Sequence, residues 1–407
     1  MAIEKYKLEA SMLIKNEEIR FEELGDKSVS MTDEQINNKY IDGEIRIVTE
    51  QARYPIDTIS EKIVHNNKYT LNPEFQRRHR WSVEKQSALI ESLIMNVPIP
   101  PIFLYEHKFS HYEVMDGLQR LTAIANFYDN KFSLVGLTEW PELNGKTYKG
   151  LPEQVQEGID RRYISSIILL KETAKSENQA DFMKQMVFDR INSGGEKLEP
   201  QERRNSNHNG PLNQLCISLT SDFYFCNLWD IPAPEVVGNE LDTLTPREQH
   251  EYFRKMYDVE LVLRFFAYRQ RRELQKGLTL EAYLDKFLEK GNLIPQQSLI
   301  QISRVFLDTM KLTNDLLGTT AFWMYRRRKD KWGWYQRATT AIYEPLTYTL
   351  SSMLNHRDRL IENQEEIQKN LVIFYKENYE HFEGRNTSPS TLNKRDSLFK
   401  EFLTQYI

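Results

Sequence analysis

The sequence predicts an α+β protein, with an N-terminal α/β domain followed by a mostly α-helical C-terminal domain. Three observations lead there. Short β-branched or aromatic runs alternate with helix-period segments across residues 46–210. From Pro211 onward the apolar residues recur almost entirely at helical spacing. The composition also shifts near residue 210, and for 407 residues a split into about two or three parts is expected. The boundaries are therefore placed at 1–45, an N-terminal arm or accessory element, then 46–210 and 211–407.

Residues 1–45 are polar, charged and weakly periodic. After the Tyr54-Pro55 punctuation, Ile59 to Val64 reads as a short helix, and Tyr69 to Arg78 as an extended segment ending in charge. Ser82 suits an N-cap and Glu84 the first turn behind it. That helix pairs Leu89 with Leu93 and Ile90 with Ile94 on a buried face, and Val97 to Pro101 ends it. Ile102–Tyr105 and Tyr112–Asp116 form a hairpin around polar Glu106–Ser110. Gly117 then switches the period to helical through Leu121, Ile124, Ala125 and Tyr128.

Gly136 to Leu151 is loop-rich. Tyr163 to Leu170 is a strand, and Gln179 to Ile191 an amphipathic helix closing at Asn192-Ser193-Gly194-Gly195. Pro200 opens another helix. In the second half Thr245-Pro246-Arg247-Glu248 is a capping box expected to start a helix through Phe266. Further helices are expected over Thr279–Lys290, Pro295–Leu317, Thr339–Leu354 and Arg359–Tyr379.

Composition excludes several functional classes. A net charge of −5 argues against a uniformly basic nucleic-acid coat, although it leaves room for a local basic patch. No apolar run is long enough to span a bilayer, and Met1 to Lys15 lacks a signal-peptide core. The chain is accordingly expected to be cytoplasmic, with no membrane partner. Cys216 and Cys226 sit in no Cys-x-x-Cys pattern and the eight histidines form no cluster, so two buried thiols and no metal site are expected.

Most of the chemistry gathers at Asp116-Gly117-Leu118-Gln119-Arg120, where a strand runs into a helix. Gly117 lets backbone approach a ligand closely. The first N–H groups of the helix are unpaired and its dipole favours an anion. Arg120 adds a permanent charge with a donor fork suited to phosphate oxygens. Gln119 can orient a water or a phosphate oxygen, and Asp116 can accept a proton, position a water or help hold Mg2+. Gly-x-x-x-x-Gly-Lys-Ser/Thr does not occur, so this is not a Walker A loop. An ordinary strand-to-helix turn with a surface Arg fits these five residues equally well.

The wider context separates the two readings. Phe75-Gln76-Arg77, Gln86 with Ile90, Pro98-Ile99-Pro100-Pro101, Asp116 to Thr122, Phe188 to Gly195 and Pro200 to Asn205 occur in one order. This series resembles the N-terminal domain of GmrSD-type modification-dependent restriction proteins, a family in the ParB/sulfiredoxin-like superfamily. It covers about Ile45 to Leu215.

The resemblance implies a compact ParB/sulfiredoxin-like α/β fold and nucleoside-triphosphate hydrolysis serving DNA restriction. It makes Asp116, Gln119 and Arg120 the catalytic candidates. Arg77, Arg78, Gln86, Gly117, Thr122, Arg190 and Asn192 become the nucleotide and phosphate contacts. Leu118 departs from the family's Asp-Gly-Gln-Gln-Arg signature and removes one polar side chain, which favours binding over turnover. The implied cofactor is a nucleoside triphosphate, with Mg2+ as a compatible ion. DNA is the implied partner, and a nuclease or defence-system protein and a homo-oligomer are compatible with it. Glu202 and Arg203 are expected to form an ion pair.

Some relatives carry a C-terminal HNH-type nuclease domain, but His250, His356 and His381 stand far apart in helical sequence, so none is expected here. The segment Phe322 to Arg337 mixes basic and aromatic residues. Arg326, Arg327, Arg328, Lys329, Trp332 and Trp334 are its nucleic-acid-binding candidates. The competing reading is an amphipathic element with aromatics in a helical core and a solvated basic edge. Arg269, Arg271 and Arg272 pose the same choice. Three functional readings follow: an NTP-binding and NTP-hydrolysing, DNA-directed defence protein, a non-catalytic DNA-binding or regulatory module, and a ParB-like nuclease.

Overall fold

The computed structural model describes residues 13, 16–19, 21, 32–41, 48–71, 81–171, 177–192, 199–234, 245–275, 277–328, 331–383 and 388–407. Internal contacts divide the chain into two compact units. One comprises Leu24–Glu199 with Gly238–Thr243, and the other Met1–Glu23, Pro200–Val237 and Leu244–Ile407.

The first unit is built on a mixed five-stranded sheet of β1 (Thr49–Pro55), β2 (Tyr69–Thr70), β3 (Ile102–Lys108), β4 (His111–Asp116) and β5 (Tyr163–Leu170), in the order β1-β5-β3-β4-β2. Strands β3 and β4 are joined by a tight turn with Ser110 at φ 57°, so they pair antiparallel. Strand β5 returns beside β3 only after a long helical crossover, so that pair is parallel.

Strand alternation assigns the two faces of the sheet. Ile102, Leu104, Ile164 and Ile168 bury against Leu89, Ile90 and Leu93 of the Val83–Ile94 helix and Leu121, Ile124 and Phe127 of the Leu118–Tyr128 helix. Each such side chain stabilises the fold by about 1.5–3 kcal/mol. The other face packs Phe103, Tyr105, Met115 and Leu169 against Val187 and Phe188 of the Glu177–Asn192 helix. Ser82 caps the Val83–Ile94 helix as its sequence suggests, its hydroxyl accepting the Lys85 N–H at 3.4 Å. The Tyr128 and Tyr148 rings stack at 4.3 Å and both hydroxyls donate to Asp160, which ties the loop-rich stretch to the end of the Leu118–Tyr128 helix. Burial and the bond to Asp160 push the Tyr148 phenol up to about 12.

The second unit is predominantly helical. Phe225, Phe265, Phe266 and Phe306 fill one part of its core, and Trp229, Phe322 and Tyr343 meet edge-on or tilted at 5.0–5.3 Å in another. The Thr245 capping box forms, with Glu248 N–H to Thr245 Oγ1 at 3.2 Å and Thr245 N–H to Glu248 Oε2 at 2.9 Å. The helix it was expected to lead through Phe266 does not run unbroken. It divides into Pro246–Gln249, Glu251–Arg254 and Tyr257–Leu274. His250 is extended and its ring caps the second piece by accepting the Tyr252 N–H, while fully buried Met256 turns left-handed at φ 52°. Burial of the Met256 side chain outweighs helical continuity there. The segment Arg359–Tyr379 likewise breaks at Asn363, between Arg357–Glu362 and Gln364–Phe382.

A larger difference lies at Phe322 to Arg337. The helical surroundings suggested a helix-packed element, but the chain forms an antiparallel hairpin, β6 (Met324–Arg328) and β7 (Lys331–Tyr335). Trp332 and Trp334 alternate with Lys331 and Gly333 at the period of a strand, whereas Met324 to Arg328 carries three consecutive arginines and no such signal. The helix Pro200–Asn207 belongs by its contacts to the helical unit. Cys216 and Cys226 are free and buried, as their sequence setting suggests.

Candidate functional site

Strand β4 and the helix after it create the site through one irregularity. In the β3–β4 pair Leu104 lies opposite Val114 while Phe103 lies opposite Asp116, so Met115 is an extra residue, a β-bulge. Opposed residues share a face. Asp116 therefore lies on the face of Phe103, away from the main apolar core to which the regular alternation of Tyr112 and Val114 would have sent it.

Gly117 follows in the left-handed region at φ 94°, ψ 7°, as N-cap of the Leu118–Tyr128 helix. A Cβ at this position would overlap the Ile102 Cγ2 and come within 3.0 Å of Arg120 Nη2. Glycine is thus required twice, by conformation and by space. No side chain caps the helix, so its leading amides have no cap partner.

Arg120 folds back over this turn. Its Nη2 donates to Asp116 Oδ2 at 2.8 Å and to the Pro101 carbonyl at 3.1 Å. The arginine side chain is 14% exposed and the aspartate 35%. Two buried polar atoms here make no hydrogen bond, Arg120 Nε and Thr122 Oγ1. A ligand or an ordered water can complete such a network.

Gln119 and Gln86 grip one residue from two sides. The Gln119 Oε1 accepts the Trp81 N–H at 3.2 Å, and the Gln86 Nε2 donates to the Trp81 carbonyl at 2.9 Å. Trp81 ends the segment that follows Arg77 and Arg78, and Lys85 lies 5.1 Å over its ring. The two glutamines, from different helices, thereby fix the Trp81 backbone just ahead of the Val83–Ile94 helix. The sequence held no signal for Trp81 as the gripped residue beyond its place just before the Ser82 cap.

Asp116, Gly117 and Arg120 are brought together at the turn, and Gln119 and Gln86 at Trp81, while Leu118 and Thr122 are half-buried on the same helix. Arg190 is exposed on the last turn of the Glu177–Asn192 helix, two residues past Phe188, which packs on Met115 beside Asp116. Lys184 of the same helix is bound to Glu113 at 2.6 Å. Arg77, Arg78 and Lys329, the Ser193-Gly194-Gly195 cap, and the side chains of Asn192 and Arg272 lie outside the described part of the structure.

The helical unit uses its charges differently. Arg204, 1% exposed, donates to Glu260 at 2.9 Å and to Asp285 at 2.7 Å. Arg264 bridges Glu260 and Glu344, and Arg271 also reaches Glu344. Arg269 pairs with Glu17 at 2.8 Å. Burial would raise the Glu260 carboxyl, but Arg264 and Arg204 outweigh it and hold it below the usual glutamate range. Arg269 and Arg271 thus serve an internal ion network and not a basic surface. Arg203 pairs with Glu281 and Asp285, both at 2.9 Å.

On the hairpin, Trp332 and Trp334 are turned toward the Gln364–Phe382 helix. Trp332 stacks on Tyr325 and meets Tyr379 edge-on at 5.2 Å, and Trp334 meets Tyr375 at 6.0 Å. Arg327 is exposed and shares the face of Trp332, while Arg326 and Arg328 lie on the other face. Among the described residues, no group of three or more His, Cys, Asp or Glu side chains is placed to hold a metal ion. No helix among them is long and apolar enough to cross a membrane.

Among curated proteins and solved structures, none matches the chain. Residues 60–209 match the family described as GmrSD restriction endonuclease, N-terminal domain. That span holds the bulged strand, the glycine-capped turn, the Arg120–Asp116 pair and the two glutamines on Trp81. This segment of the chain belongs to the GmrSD restriction endonuclease N-terminal domain family.

Proposed function

We propose that residues 60–209 form the nucleotide-phosphate site of a DNA-directed protein in a bacterial restriction or antiphage defence system, on a ParB/sulfiredoxin-like fold. The observation that carries this reading is the uncapped helix start at Gly117 with Arg120 folded over it. The leading amides, the helix dipole and a fixed guanidinium converge on one spot, which suits a phosphate group. The unsatisfied Arg120 Nε has a donor to spare for such a ligand.

Each residue then has a role. Arg120 supplies permanent charge, and Gly117 makes the left-handed turn that starts the uncapped helix. Asp116 has its Oδ2 committed to Arg120, leaving Oδ1 to accept a proton or to hold a water. A Mg2+ ion bound mainly by nucleotide phosphates needs only one or two protein carboxylates, so Asp116 suffices. Arg77, Arg78, Arg190 and Asn192 extend the anion-binding rim.

Binding without turnover is the second reading, and one observation favours it. The Gln119 carbonyl is spent on the Trp81 N–H, so Gln119 acts as a positioning residue and its carbonyl does not orient an attacking water. Leu118 offers no polar substitute. Calorimetry with each of the four nucleoside triphosphates tests the site: Arg120→Ala should weaken binding about tenfold or more, the order expected for loss of a charged hydrogen-bonding partner. Unchanged affinity refutes the assignment. Phosphate release with and without DNA separates turnover from binding alone.

A further inference from the structure

We infer that the β6–β7 hairpin is a contact ribbon for the phosphate backbone of duplex DNA. This builds on the DNA-directed reading above but is independent of the nucleotide site. The segment 322–337 carries six basic residues and one acidic one in a chain of net charge −5, so its charge is local and concentrated.

The pairing register sorts the hairpin into two faces. Tyr325, Arg327, Trp332 and Trp334 share one face, where the aromatic rings lie against the Gln364–Phe382 helix. Arg326, Arg328, Lys331 and Gly333 share the other with buried Met324 and with Tyr335. Trp332 is taken up by Tyr325 and Tyr379 and Tyr335 is covered by Arg326, so stacking is left to Trp334, which favours a duplex backbone over single strands. A two-stranded ribbon matches the width of the duplex major groove.

Two features of the second face work against hairpin stability, and a polyanion accounts for both. Exposed Arg328 and Lys331 lie directly opposite each other, a like-charge pair that repels. Gly333 stands in mid-strand opposite Arg326, although a Cβ there would meet nothing within 4 Å and the fold does not require glycine. A strand glycine of this kind leaves room for another backbone to approach. Arg326 is held in place over the Tyr335 ring at 4.0 Å, a cation preorganised beside that gap.

The test measures fluorescence anisotropy of a labelled duplex with the full chain, the triple variant Arg326→Gln/Arg328→Gln/Lys331→Gln, and Gly333→Glu. Circular dichroism and nucleotide calorimetry run in parallel. Both variants should keep their fold and nucleotide affinity yet bind duplex about tenfold or more weakly, and the triple variant's log–log salt slope should fall by about 3. Duplex affinity and slope equal to wild type overturn the inference, as does wild-type preference for single-stranded DNA or RNA over duplex. If wild type binds no duplex even at low salt, this inference and the DNA-directed reading both fall, while the nucleotide site stands or falls on the calorimetry.

Discussion

Arginine–carboxylate pairs occur at the motif turn and through the helical unit, and the two regions use them in opposite ways. Around Arg204, Arg264, Arg269 and Arg271 each guanidinium meets one or more buried carboxylates, and the charge is enclosed. At the turn a single pair, Arg120 with Asp116, is part-exposed. A closed network specifies packing, whereas an open pair keeps capacity for a ligand. Residue type alone does not separate the two uses; burial and the number of partners do.

Arg204→Ala challenges this contrast most severely. It removes one of two arginine partners from each of Asp285 and Glu260, and it should cost about 3 kcal/mol in chemical denaturation, the low end for a broken buried pair. The same network makes stability sensitive to acid. Because the Glu260 carboxyl is held low, its contribution is present above the ordinary glutamate range and is lost as pH falls through the folded-state value. A loss below 1 kcal/mol would mean that the network is not closed. Gly117→Ala comes next, at roughly 2–4 kcal/mol from left-handed strain plus the overlap with Ile102. Thermal melting reads that cost, and nucleotide affinity should fall with it. Asp116→Asn is the mildest for folding. Its pair is exposed enough that about 0–1 kcal/mol is expected. Any nucleotide turnover should drop far more than stability does, and a large stability loss would place this pair with the closed network.

Much of the sheet unit was legible because its signals are local. Tyr163–Leu170, the Ser82 cap and the hairpin into Asp116 follow from alternation and capping chemistry within a few residues. The site residues Asp116, Gly117 and Arg120 came from the junction and the family resemblance together. The Trp81 clamp was not legible, because its two glutamines are separated in sequence and meet a backbone that carries no side-chain signature. The charge network was hidden for a similar reason: Glu17 and Arg269 are 252 residues apart, and only tertiary packing pairs them. At His250 and Met256 local helix signals lost to burial. The β6–β7 hairpin lies in otherwise helical sequence, and its alternation is confined to Lys331 to Trp334, too short a signal to announce two strands.

The bulge at Met115 acts on β4 as a frameshift acts on a message. Up to Val114 the strand is read in one parity, and from Asp116 in the other. Deleting Met115 would leave the carboxylate opposite Phe103 on its present face, whereas straightening the bulge with every residue kept would turn it toward Leu121 and Ile124, where its charge would find no water. Strand pairing at this one place, as much as residue identity, therefore decides whether the turn presents a usable acid.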